Sequence, residues 1–129
     1  MVSRYYPMLP AILEWRGKRS RPVEGILDSG SDGVVLPLSM AKYMGLELVE
    51  KKSTMRVVGA KIACYSARVN IIIGRAGNFC SPLEAVEVTV PKEEDDSPIL
   101  FGRNPVFEHF TVTFYETEKR YSMEPCGRD

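Results

Sequence analysis

Apolar residues along this chain alternate with polar ones over short runs that are broken by clusters of Gly, Pro, Ser and charged side chains. A period of two is the mark of strands with one face buried, whereas an apolar recurrence every three or four residues marks a helix. Residues 11–15 are apolar and β-compatible, residues 16–21 are polar with one glycine, and residues 23–27 are apolar again, which predicts a hairpin. The period then changes. Leu38, Met40, Ala41 and Met44 stand at near-helical spacing, with Pro37 at a plausible first helical position and Gly45 at the stop, so a short helix is expected there. Residues 46–58 and 61–73 are β-rich runs that meet at Gly59-Ala60 and predict a long hairpin. A turn is expected over residues 74–78, a strand over 83–90, an exposed acidic loop over 92–96 and a short strand over 99–101. A short helix over 104–110 and a strand over 111–115 follow, and the chain frays after Glu124. No internal repeat or linker divides the pattern, and the fold class is mainly β with one or two short helices.

Composition narrows the picture. At 129 residues with 44% hydrophobic content, the chain has material for one packed domain, taken as residues 1–129 with a core over about 8–117. Seventeen Lys plus Arg balance seventeen Asp plus Glu, so net charge argues for neither a nucleic-acid nor a membrane partner. The N-terminal residues lack the apolar run of a secretory signal, and a cytoplasmic location is expected. Cys64, Cys80 and Cys126 are too widely spaced for a disulfide framework or a metal site, and they read as ordinary thiols. Cys64, in an alternating segment, reads as a small packing residue. The single histidine, His109, reads as a surface or helix-end residue. The cluster Arg16, Lys18, Arg19 and Arg21 reads as a solvated loop tip. A nucleic-acid-binding β-barrel would rest on that cluster alone.

The segment that carries chemistry is Gly25-Ile26-Leu27-Asp28-Ser29-Gly30-Ser31-Asp32-Gly33-Val34-Val35-Leu36. An apolar strand delivers an Asp into a turn and a second apolar run leaves it. Taken alone, Asp-Ser-Gly is also a common turn in which the carboxylate caps backbone N–H groups. Far downstream stands Ile99-Leu100-Phe101-Gly102-Arg103-Asn104.

Together the two segments resemble the retropepsin-like aspartic proteases, in which apolar-apolar-Asp-Ser/Thr-Gly is followed later by apolar-apolar-Gly-Arg-Asn/Asp. The resemblance spans about residues 11–115, and the helix-like segment after Leu36 is closer to the cellular and prokaryotic members than to the retroviral ones. It implies a closed β-barrel of the acid protease fold, dimeric, and an aspartic endopeptidase that hydrolyses peptide or protein substrates. Such hydrolysis needs two carboxylates sharing one proton around a water, one acting as base and the other as acid. Asp32, Asp95, Asp96 and Asp129 lack the apolar-Asp-Ser/Thr-Gly setting, so the resemblance implies a homodimer whose two Asp28 carboxylates form the pair. Like charges at close range cannot both ionise, so activity is expected to favour acid pH. Water is the nucleophile, and neither a cofactor nor a metal is implied.

By the same resemblance, Ser29 ties the two Asp loops together, and Gly30 lets the main chain approach closely. Asp32 and Arg103 form an internal ion pair, and Gly102 lets the segment leading to Asn104 pass close to the Asp loop. Val57, Val58, Gly59 and Ala60 correspond to the flap over substrate, and residues near Val34, Val35 and Leu100 supply apolar pockets. An alternative of a different class keeps the barrel and loses the chemistry, leaving a catalytically inactive dimerisation or peptide-binding module.

Overall fold

The computed structural model describes residues 7–51, 55–57, 60–75, 77–93 and 98–125. Among them the chain runs β1 (Met8–Trp15), β2 (Lys18–Arg19), β3 (Val23–Leu27), β4 (Val34–Val35), helix α1 (Leu38–Met44), β5 (Val49–Glu50), β6 (Met55–Val57) and β7 (Ala60–Ile62). It continues through β8 (Cys64–Arg75), β9 (Asn78–Phe79), β10 (Leu83–Pro91), β11 (Ile99–Phe101), a helical turn at Arg103–Phe107, β12 (Phe110–Tyr115) and β13 (Arg120–Pro125).

Six of these strands close a barrel. β1 pairs with β3, β3 with β11, β11 with β4, β4 with β10, β10 with β8, and β8 returns to β1 through Ala11↔Ile73 to Glu14↔Asn70. Closure removes the sheet edges that an open sheet of this length would expose. Alternation fills the interior: Leu9, Ala11 and Leu13 point inward from β1, Ala67, Val69, Ile71 and Ile73 from β8, and Val88 and Val90 from β10. Helix α1 caps the core with Leu38, Ala41 and Met44, three residues apart on one face. Pro37 stands just before the helix rather than as its first residue, and Gly45 ends it at φ 70°. Cys64 is buried in its strand, as a packing residue would be.

The expected hairpin around residues 16–21 is present, with β1 starting three residues earlier than the pattern suggested. Three expectations need correction. β8 runs through Gly74 and Arg75, which pair with Phe79 and Asn78 of β9, so the turn expected over 74–78 is confined to fewer residues. The helix expected over 104–110 ends earlier, because Phe110 is buried as the first residue of β12. Beyond it lies a strand the pattern did not reveal, since β13 pairs with β12 from Phe110↔Pro125 to Tyr115↔Arg120. This hairpin forms a separate two-stranded sheet held on the core by Phe110, Val112, Tyr121 and Met123. No helix among the described residues is long and apolar enough to cross a membrane.

Candidate active site

Three strands position the Asp-Ser-Gly turn. β11 lies between β3 and β4, parallel to β3 through Leu27↔Phe101 and antiparallel to β4 through Leu100↔Val35. The chain leaving β3 must therefore pass over the end of β11 to reach β4, and residues 28–33 make that crossing. The Asp28 N–H donates to the Phe101 carbonyl at 2.9 Å, extending the parallel ladder by one residue, and the Ser31 N–H donates to the Asp28 carbonyl at 3.0 Å. Asp28 is half-buried, and its Oδ1 accepts the Gly30 N–H at 2.9 Å. That contact is the Asx turn such a sequence favours, and it fixes the carboxylate while leaving its other oxygen without a hydrogen bond inside the loop. Ser29 and Gly30 are exposed at the crest of the turn.

Gly102 lies directly beneath this loop and is buried. Its φ of −101° is open to any residue, so space rather than conformation selects glycine. A Cβ there would stand 2.4 Å from the carbonyl oxygens of both Ser31 and Gly33. The close passage expected of Gly102 is thus present. The two residues that follow bind the loop from below: the Arg103 N–H donates to the Ser31 carbonyl at 2.9 Å and the Asn104 N–H to the Asp32 carbonyl at 3.0 Å.

The Arg103 side chain acts differently from the expectation. Its Nε–H donates to the Ser29 carbonyl at 2.8 Å, and no Asp32–Arg103 ion pair forms among the described residues. Both side chains are exposed, so no buried guanidinium demands a matched carboxylate. Arg103 holds the turn by its backbone and by a charge-assisted bond to a carbonyl. Arg103→Ala is accordingly expected to lower stability by about 1 kcal/mol, and Asp32→Asn to change it by less than about 0.5 kcal/mol. Chemical denaturation of the two variants checks the order, and an equal, large loss in both would restore the ion pair.

Ser31 was not singled out from sequence, yet it joins both sides of the loop. Its hydroxyl donates to the Gly33 carbonyl at 2.9 Å while its own carbonyl accepts from Arg103. A serine two residues ahead of a glycine in a turn is the signal for such a local bond. Val34 and Val35 are buried at 1% and 9% exposure; Val34 packs in the barrel core and also lines the groove that flanks the loop. Leu100 is half-buried. A groove of 530 Å³ flanks the loop, lined by Asp32, Gly33 and Asn104 on one side and Leu83, Val86 and Thr89 on the other. His109 is exposed at the end of the helical turn with Nδ1 2.8 Å from the Pro105 carbonyl, in keeping with a helix-end residue.

β6 and β7 pair antiparallel from Met55↔Ile62 to Val57↔Ala60, so the hairpin expected there exists up to its last described pair. Val58 and Gly59 lie outside the described residues, as do Asp95 and Asp96 of the acidic segment. Just after β10, Lys92 pairs with Glu50 of β5 and lies over the Tyr65 ring, and the hydrogen bond to Glu50 holds its ammonium above the usual lysine range.

Residues 13–104 match the family model described as aspartyl protease, more than half of the chain. Among solved structures, the fold is similar to the EIAV protease complexed with an inhibitor, at TM-score 0.56 and 15% identity, covering 80% of this chain and 86% of that one. It is also similar to a retropepsin-like aspartic protease from Rickettsia conorii, at TM-score 0.53 and 14% identity, covering 89% and 92%. No curated protein matches at a significant level. At such identities the structural likeness speaks for the fold, which is the retropepsin-like barrel.

Proposed function

The chain belongs to the aspartyl protease family, and from that premise we propose that it is an endopeptidase acting as a homodimer through the Asp28 carboxylates of two copies. The observation that carries this reading is the Asp28 turn itself. The carboxylate is half-buried, oriented by the Gly30 N–H, and mounted on a loop locked from below by Gly102, Arg103 and Asn104. Rigid mounting is what acid–base chemistry at a defined point requires, because misplacement by about 1 Å costs on the order of a hundredfold in rate.

In this reading one carboxylate takes a proton from water as the water attacks the peptide carbonyl, and the other, protonated, donates to the carbonyl oxygen. The proton returns through the pair when the tetrahedral intermediate collapses and the amine leaves. Ser29 and Gly30, exposed at the crest of each loop, face the other copy. Asp32, Gly102, Arg103 and Asn104 support the loop. The hairpin bearing Val57, Val58, Gly59 and Ala60 closes over an extended substrate and pairs with its backbone. The whole chain works as one domain.

The test is cleavage of a peptide library from acid to neutral pH by wild type and by Asp28→Asn, with both proteins shown to be folded. The reading expects cuts at internal bonds, strongest on the acid side, by wild type alone. Cleavage by both overturns it, and cleavage by neither favours the inactive binding module.

A further inference from the structure

Residues 16–21 hold four cations, Arg16, Lys18, Arg19 and Arg21, and no acid. They stand exposed at a hairpin tip, as expected of a solvated loop, and the fold makes of that tip an ordered platform. Arg16 at φ 49° and Gly17 at φ 86° are both left-handed, as a two-residue turn between antiparallel strands demands. The turn sets Trp15 opposite Lys18 and Glu14 opposite Arg19. Ser20 then ties the segment down. Its N–H donates to the Leu13 carbonyl at 2.8 Å, its hydroxyl oxygen accepts the Leu13 N–H at 2.9 Å, and the hydroxyl donates to the Arg21 carbonyl at 2.7 Å. Two of the cations are also held by aromatic rings, Lys18 Nζ 4.1 Å from the centre of Tyr43 and the Arg16 guanidinium 5.7 Å from that of Trp15.

None of the four forms an ion pair among the described residues. Glu14, the carboxylate opposite Arg19, instead accepts from Asn70 Nδ2 at 2.8 Å. β2 is the outermost strand on its side of the sheet, so one edge of its backbone is unpaired. An ordered, uncompensated cationic strand at an open edge repels basic partners and rewards acidic ones.

We propose that this hairpin tip docks an acidic segment of a polypeptide, laid in extended form along the open edge of β2. An added strand gains backbone hydrogen bonds from the edge, and its side chains, spaced about 3.3 Å per residue, bring carboxylates to Lys18, Arg19 and Arg21. The open edge of β2 offers backbone N–H and C=O groups that an extended polypeptide pairs with and a nucleic acid does not, which favours a polypeptide as the occupant. The five residues of β3 alone put about 17 Å between this tip and Asp28, so docking leaves the Asp loop clear. That the docked chain is also a substrate rests on the proteolytic reading above; the docking itself does not.

The experiment uses the full chain carrying Asp28→Asn and a fluorescent eight-residue Glu/Asp-rich peptide, read by anisotropy at low and at high salt. Expected are saturable binding that weakens with salt, and a loss of at least about tenfold when Arg16, Lys18, Arg19 and Arg21 are all changed to Gln. Exchange of Arg19 and Arg21 for Lys should retain most of the affinity. Should the fourfold variant fail to fold, Arg19→Glu alone should give the loss. Absence of saturable binding, unchanged affinity in the neutralised variants, or tighter binding of an oligonucleotide of equal charge each overturns the proposal. Because the protein used cannot cut, this result is independent of whether the wild type cleaves peptides.

Discussion

Asp28→Asn is expected to reduce peptide cleavage at least about a thousandfold while leaving the fold intact. The asparagine keeps the shape of the side chain, and its amide oxygen still accepts the Gly30 N–H that Asp28 Oδ1 now accepts at 2.9 Å. What it loses is the ability to take and return a proton. In a homodimer the substitution removes both members of the pair at once, so neither base nor acid remains. Thermal unfolding should therefore move little while activity disappears. A variant that stays folded and retains more than a tenth of wild-type cleavage would place the chemistry elsewhere.

Gly102→Ala carries the second large effect, and here the target is stability. The new methyl group would meet two backbone oxygens at 2.4 Å, those of Ser31 and Gly33. Neither can swing aside as the end of a side chain would, because Ser31 is bound to Arg103 through the same carbonyl and its hydroxyl holds Gly33. Relief requires the whole Asp loop to lift off β11. The cost is about 3 kcal/mol or more, a fall in Tm of roughly 10 °C for a domain of this size. Gly33→Ala serves as the control, since a Cβ there meets the Asn104 carbonyl at an ordinary 3.5 Å. Equal melting of the two variants would contradict the packing described for the loop.

Features set by short stretches of chain were readable before the fold was known. The helix over Leu38–Met44, with Gly45 at its end, follows from local spacing and capping, and the hairpin at residues 16–21 follows from one polar glycine-bearing turn between apolar runs. The barrel and the role of Gly102 were legible through the paired motifs, whose order along the chain matches the way β11 enters between β3 and β4. What escaped depended on partners outside each segment's own pattern. β13, with sequence Arg-Tyr-Ser-Met-Glu-Pro, alternates weakly and is a strand because β12 pairs with it. The burial of Val34 and Val35 likewise comes from β4 lying between β10 and β11. The Asp32–Arg103 pair followed from the resemblance, whereas with both side chains in solvent the guanidinium bonds to a carbonyl of the Asp turn.

The most direct test of the two-copy reading mixes wild type with Asp28→Asn, refolds them together so that copies combine at random, and measures cleavage at constant total protein. If each working site needs an Asp28 from both copies, activity follows the square of the wild-type fraction and an equal mixture retains about one quarter of full activity. A value of about one half, linear in the wild-type fraction, would show that one chain cuts alone and would contradict the account.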